Sequence, residues 1–97
     1  MAKYKLKTKK FDPADYLDSP AMIRAYLDEI FESGDPALIA HGLGVVARAR
    51  GMAKVAKRAG LTRESLYKAL SAEGNPEFAT VVRVLEAMDL KLGTRAA

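Results

Sequence analysis

Met52-Ala-Lys-Val-Ala-Lys-Arg-Ala-Gly-Leu-Thr-Arg-Glu-Ser-Leu-Tyr-Lys-Ala-Leu70 reads as two short helices joined by a tight turn, and this stretch decides the fold. In the first helix Met52, Val55, Ala56 and Ala59 recur at helical intervals and define one buried stripe, which leaves Lys54, Lys57 and Arg58 on the opposite side. Ala56 is small where the second helix must cross closely. Gly60 follows the last periodic position and suits the left-handed conformation that ends a helix, and Leu61 fills the corner beyond it. Thr62 is a good N-cap for the next helix. Leu66, Ala69 and Leu70 then face inward, while Arg63, Glu64, Tyr67 and Lys68 face outward near the N-terminal end of the second helix. A helix that enters a DNA major groove reads bases from those positions.

The same pattern fits a plain helical hairpin whose outward charges are merely solvated. Charge separates the two readings. Arg48, Arg50, Lys54, Lys57, Arg58, Arg63 and Lys68 stand against Glu64 alone, a net +6, and a solvated face rarely carries so one-sided a charge.

Working outward, residues 1–10 alternate Lys3, Lys5 and Lys7 with Tyr4, Leu6 and Thr8 before Lys9 and Lys10, which fits a frayed basic tail or an arm that orders on a partner. A turn or helical piece around Asp12–Leu17 leads to Ser19-Pro20, a cap followed by a first-turn proline. Met22, Ile23, Tyr26, Leu27, Ile30 and Phe31 make a helical stripe that ends near Ser33-Gly34. Asp35-Pro36 repeats the start signal for a helix of about fifteen residues, with Leu38, Ile39, Leu43, Val46 and Ala49 inside. After the central pair, Gly74-Asn75-Pro76 is expected to stop one element and cap the next, whose inner stripe is Phe78, Val81, Val82 and Leu85. Val84, Ala87, Met88 and Leu90 spill outside that stripe and fit either a dimer contact or the core. Lys91–Ala97 shows no pattern. No alternating run is long enough for a sheet, so the expected fold is all-α with five main helices.

The 97 residues, 49% hydrophobic with net charge +4, suffice for one modest core. The absence of cysteine excludes disulfides and thiolate metal sites and fits a cytoplasmic home. The basic amino terminus has no apolar run after it, and no segment approaches the roughly 18 apolar residues of a membrane span. Gly42-Leu-Gly-Val-Val-Ala47 matches a dinucleotide-binding fingerprint in letters, with Glu64 about twenty residues on, but Leu38–His41 continues a helix where a strand is required. Those glycines fit close helix packing better, at about 1 kcal/mol each relative to alanine. His41 is the only histidine and has no dyad or metal partner, and no nucleophile has a plausible base. Neither an enzyme nor a cofactor is expected.

The four helices from Pro36 to Asp89 resemble the lambda-repressor-like (Xre-type) DNA-binding domain. Phe11-Asp-Pro-Ala-Asp-Tyr-Leu-Asp-Ser19, Gly34-Asp-Pro36, Val46-Ala-Arg-Ala-Arg-Gly-Met52, Gly60-Leu-Thr-Arg-Glu-Ser-Leu-Tyr-Lys-Ala-Leu70 and Glu73-Gly-Asn-Pro76 are similar to the addiction-module antidote proteins, HigA-like antitoxins of bacterial type II toxin-antitoxin pairs. The resemblance runs from about Phe11 to Leu90, and the string from Gly60 to Pro76 is its specific part. Ala53-Lys54 stands where such proteins often carry Thr-Gln, which puts Lys54 in place of a phosphate-binding glutamine. The resemblance implies an all-α, five-helix lambda-repressor-like fold with its helix-turn-helix DNA-binding domain over residues 36–90, a helical extension with a basic tail over 1–35 and a tail over 91–97. It also implies a RelE/HigB-like toxin as partner and repression of the chain's own operon. A stand-alone transcriptional regulator and a helical adaptor without DNA are the alternatives.

Charge adds one expectation of its own. Asp12, Asp15, Asp18, Asp28, Glu29, Glu32 and Asp35 stand against Arg24, a net −6 over residues 11–35. Phosphates repel this part and a basic protein favours it, so it is either toxin-facing or a soluble covering for the core. For DNA, Arg63 suits guanine O6 and N7, and its loss is expected to remove roughly 1–3 kcal/mol of discrimination. Glu64 suits a cytosine amino group or a contact that steadies Arg63; Tyr67 suits the backbone or a thymine methyl. Lys68 suits a base or a phosphate, Ser65 the helix start or a phosphate, and Thr62 the cap with a phosphate contact. Lys54, Lys57 and Arg58 are expected on phosphates. Two copies reading half-sites roughly 34 Å apart on double-stranded operator DNA are the usual arrangement, so a homodimer is expected.

Overall fold

The helix starts are set by short polar side chains and the prolines behind them. In the computed structural model, which describes residues 13–71 and 73–97, Ser19 is extended and its hydroxyl accepts from the Met22 N–H at 3.2 Å. Pro20 takes the first position of helix α1, Pro20–Glu32. Asp35 accepts from the Ala37 N–H at 3.0 Å and opens α2, Pro36–Arg50, again on a proline. Proline is suited to these places, because its missing N–H would have had no helical partner there. A single 3-10 turn, Pro13–Tyr16, precedes α1, and Leu17 behind it is buried. Helices α3, Met52–Ala59, α4, Arg63–Ala69, and α5, Phe78–Ala87, follow. The described residues contain five α-helices and no strand, as the spacing predicts. The basic tail expected over residues 1–10 lies outside the described residues.

Helix α3 packs against α4 and α5, and helix α2 packs against α1, α3 and the 3-10 turn. Leu43, Val46 and Ala47 are fully buried along α2, and Ile23 and Leu27 of α1 join the same core as Val55, Leu66 and Val84. Its two glycines make the packing close. A Cβ on Gly42 would lie 2.9 Å from Ile30 Cγ2, and one on Gly44 would lie 2.9 Å from the Leu70 carbonyl oxygen. The close-packing reading of this glycine pair therefore holds, and no strand flanks them.

Several apolar positions differ from the expected stripes. Leu38, in the first turn of α2, is 39% exposed rather than inside. Met22 on α1 is also exposed. Phe78 is 69% exposed, and Val81 and Val82 are only half-buried. Helix α5 packs against α3, and its buried residues Val84, Leu85 and Ala87 all lie in its second half. Met88, 1% exposed, follows as part of the core. Val84, Ala87 and Met88 therefore complete the core, and the dimer contact that fitted them equally well from spacing has no surface there. Asn75-Pro76 does not cap α5. Gly74 passes so close to the Lys68 and Ala69 carbonyl oxygens that a Cβ would overlap them, and the chain stays extended through Glu77, an N-cap without a side-chain bond.

Candidate nucleic-acid interface

The α3–α4 pair is built by its turn. Gly60 sits at φ +75°, and the Leu61 N–H beyond it donates to the Ala56 carbonyl at 2.8 Å, closing the helix in the manner of a left-handed cap. Leu61 is half-buried and packs on the core, filling the corner between the helices. Thr62 is extended, and its Oγ1 accepts from the Ser65 N–H at 3.0 Å. A 2.8 Å hydrogen bond also joins the Thr62 and Ser65 hydroxyls. That bond uses one of their two O–H groups, so the pair keeps one donor for a third partner.

Lys54, Lys57, Arg58, Thr62, Arg63, Glu64, Ser65, Tyr67 and Lys68 are all exposed, while Leu66 between them is fully buried. The fold thus presents every expected contact residue at the surface of two adjacent helices. Their engagements differ. Arg63 lies over the Tyr67 ring, 5.7 Å from its centroid, a cation–π arrangement one turn apart along α4. Tyr67, not Glu64, is therefore the residue that steadies Arg63, and Glu64 makes no ion pair among the described residues. Lys54, Lys57 and Lys68 also have no ion-pair partner among the described residues. Tyr67 further lines a small crevice of about 120 Å³ with His41, Arg48 and Ser71. Arg48 works on α1 as well: burial pushes the Tyr26 phenol up, and the Arg48 charge opposes that shift.

Arg58 is engaged elsewhere. Its Nη2 donates to Asp89 Oδ1 at 3.1 Å, and Arg50 Nη2 donates to Asp89 Oδ2 at 3.3 Å. Asp89 has φ +62°, the one non-glycine residue in the left-handed region among those described. The hydrogen bond and charge of Arg58, followed by Arg50, hold its carboxyl below the usual carboxylate range. Sequence reading misses this centre, because Asp89 lies 31 and 39 positions from its partners and no local spacing links them.

The acidic segment forms a second surface. Asp28, Glu29 and Glu32 are exposed on α1, but Arg24 lies 3.8 Å from Asp28 and Arg95 bonds Glu32 at 3.1 Å. A groove of about 670 Å³ runs between this helix and the C-terminal segment, with Leu27, Phe31, Leu85, Leu90 and Leu92 among its walls. The Arg95–Glu32 bond ties the two sides together.

A sequence model of the family described as "probable addiction module antidote protein" matches residues 7–96. A protein of Haemophilus influenzae, itself uncharacterised, is 49% identical over 83 residues, which is 86% of each of the two chains. No solved structure matches.

Proposed function

Because the chain belongs to the family of probable addiction module antidote proteins, we propose that it is the antitoxin of a type II toxin–antitoxin pair, which neutralises a RelE/HigB-like toxin and represses its own operon. The observation that carries the DNA part is the α3–α4 surface. Lysines 54, 57 and 68 are exposed there without ion-pair partners among the described residues, beside a capped helix start that bears Arg63 and Glu64. In this reading α3–α4 is a lambda-repressor-like helix-turn-helix and α4 enters the major groove. Lys54 and Lys57 take phosphates, the Thr62–Ser65 pair offers its remaining hydroxyl to another, and Arg63, placed over the Tyr67 ring, reads guanine. Arg58, bonded to Asp89, stands outside this contact set. The protein acts in the cytoplasm as a homodimer on a two-fold site, by binding and without catalysis.

Neutralisation falls to the α1 side, where acidic residues suit a basic toxin. Co-expression with the adjacent small open reading frame tests this part. Rescue of growth together with a co-purifying complex supports the antitoxin reading; a harmless neighbour that forms no complex overturns it. One observation favours a stand-alone helix-turn-helix regulator instead: Asp28 and Glu32 already have partners within the chain. Salt-dependent DNA binding is expected under both readings, so the growth assay decides between them.

A further inference from the structure

Asp89 is held more firmly than an exposed side chain usually is. Two guanidiniums from different helices bond its two oxygens, and the backbone beneath it occupies a left-handed conformation that few non-glycine residues adopt. The two arginines are not equivalent. Arg50, at the end of α2, has 27% of its side chain exposed and is the more enclosed, whereas Arg58 has 42% exposed. Arg58 also lies one helical turn after Lys54 and next to Lys57, on the outward side of α3. Among the three cations of that side it alone has a carboxylate partner among the described residues.

We infer that Asp89 is an affinity-setting residue: by occupying Arg58 it withholds one cation from nucleic-acid phosphates and holds duplex binding below what the α3 surface would otherwise support. The inference rests on the DNA-binding reading and gives that site a control residue outside it. A phosphate that drew Arg58 away would have to sit close to the Asp89 carboxylate, which Arg50 and its own backbone keep in place, and the two anions repel. Arg58 therefore stays with Asp89. Buried apolar residues of α3 and α5 share one core, so removing the carboxylate frees the guanidinium rather than dismantling the helix junction.

The test uses the full chain, a fluorescein-labelled duplex of mixed sequence as probe, and a salt series. Each phosphate contact contributes about 0.9 to the slope of log K against log salt. Asp89→Asn is expected to bind more tightly at low salt, with a slope steeper by about 0.9, so that its affinity falls about threefold further than that of the unaltered chain between 50 and 200 mM. Adding Arg58→Gln to Asp89→Asn is expected to remove that increment. Asn and Gly both tolerate the left-handed backbone, so Asp89→Gly repeats the measurement should the Asn variant fold poorly. A steeper slope that depends on Arg58 supports the inference. Binding by the unaltered chain, with Asp89 variants of equal or shallower slope, overturns the inference and leaves the DNA reading standing. No salt-dependent binding by the unaltered chain overturns the DNA reading and this inference with it.

Discussion

Residues 11–35 and 48–68 carry opposite net charges of equal size, −6 and +6, yet they use them differently. On α1, Asp28 faces Arg24 and Glu32 faces Arg95, while Asp35 serves as the cap of α2. On α3–α4, Lys54, Lys57 and Lys68 have no ion-pair partner among the described residues, and the arginines rest on Tyr67 or Asp89. Net charge makes the two regions look like mirror images. Pairing shows that much of the acidic charge is balanced or structural, whereas the lysines remain available to an outside anion.

The widest test of that difference replaces matched sets. Lys54, Lys57 and Lys68 changed together to Ala should make the salt slope of DNA binding shallower by about 2.7, whereas Asp28→Asn with Glu29→Gln and Glu32→Gln should leave the slope in place and weaken co-purification with the toxin. Equal effects on the slope, read by fluorescence anisotropy, would erase the distinction between the faces.

A second comparison uses the glycines by which each region meets α2. Gly44→Ala drives a methyl against the Leu70 backbone oxygen, and overpacking of about 1–3 kcal/mol less a helix gain of about 1 kcal/mol leaves a net loss of up to about 2 kcal/mol. Gly42→Ala meets only the Ile30 side chain, which can turn, so urea melts should place it close to the unaltered chain. Next in size are the caps. Thr62→Ala, which loses the bond to the Ser65 N–H, should cost about 1 kcal/mol and also weaken DNA binding, whereas Ser19→Ala should cost a similar amount in the same melts without touching DNA affinity.

The smallest contrast is between ion pairs. Arg24→Ala removes a long, exposed pair and should change stability by at most about 0.5 kcal/mol. Asp89 titrates lower when folded than when unfolded, so its stabilisation is present above the ordinary carboxylate range and is lost as pH falls through its depressed value. The groups facing it are Arg58 and Arg50, with Arg24, Lys91, Arg95, Asp28 and Glu32 along the same groove. The difference in urea midpoint between the unaltered chain and Asp89→Asn should therefore shrink below about pH 4. A difference that persists in acid would show that the carboxylate charge is not what holds the junction.

What the sequence makes legible follows the range of the interactions. Ser19-Pro20, Asp35-Pro36, Gly60 and Thr62 act on atoms within a few residues, so their chemistry announces itself locally and the structure has each where expected. Which residues of α5 are covered depends on where α3 lies against it, and no spacing within α5 contains that. Phe78 thus looks like core and is exposed, while Met88, which spacing leaves open to a dimer contact or the core, is buried. At the candidate interface, exposure follows from periodicity, because the outward side of a short amphipathic helix is fixed by its inward one. The Arg58–Asp89 bond does not, since it joins α3 to the residue just beyond the end of α5, and these meet only when the core has formed. Asp35 misleads in the opposite direction, counting toward an acidic surface while its oxygen is engaged by a helix terminus.

Gly42 and Gly44 lie two residues apart and hence about 200° apart around their helix, on nearly opposite sides of it. Where a helix meets its neighbours through side chains, rotamer changes can absorb a displacement; where bare backbone meets them, little remains to yield. On α2 the Gly44 contact is of the second kind, bare backbone against the Leu70 carbonyl, while Gly42 meets the Ile30 side chain, which can turn. The end of the fourth helix is therefore clamped to a thin, stiff plank. A displacement of α2 passes to the end of α4 with little loss, whereas a shift of α1 against α2 can be taken up by a turn of the Ile30 side chain.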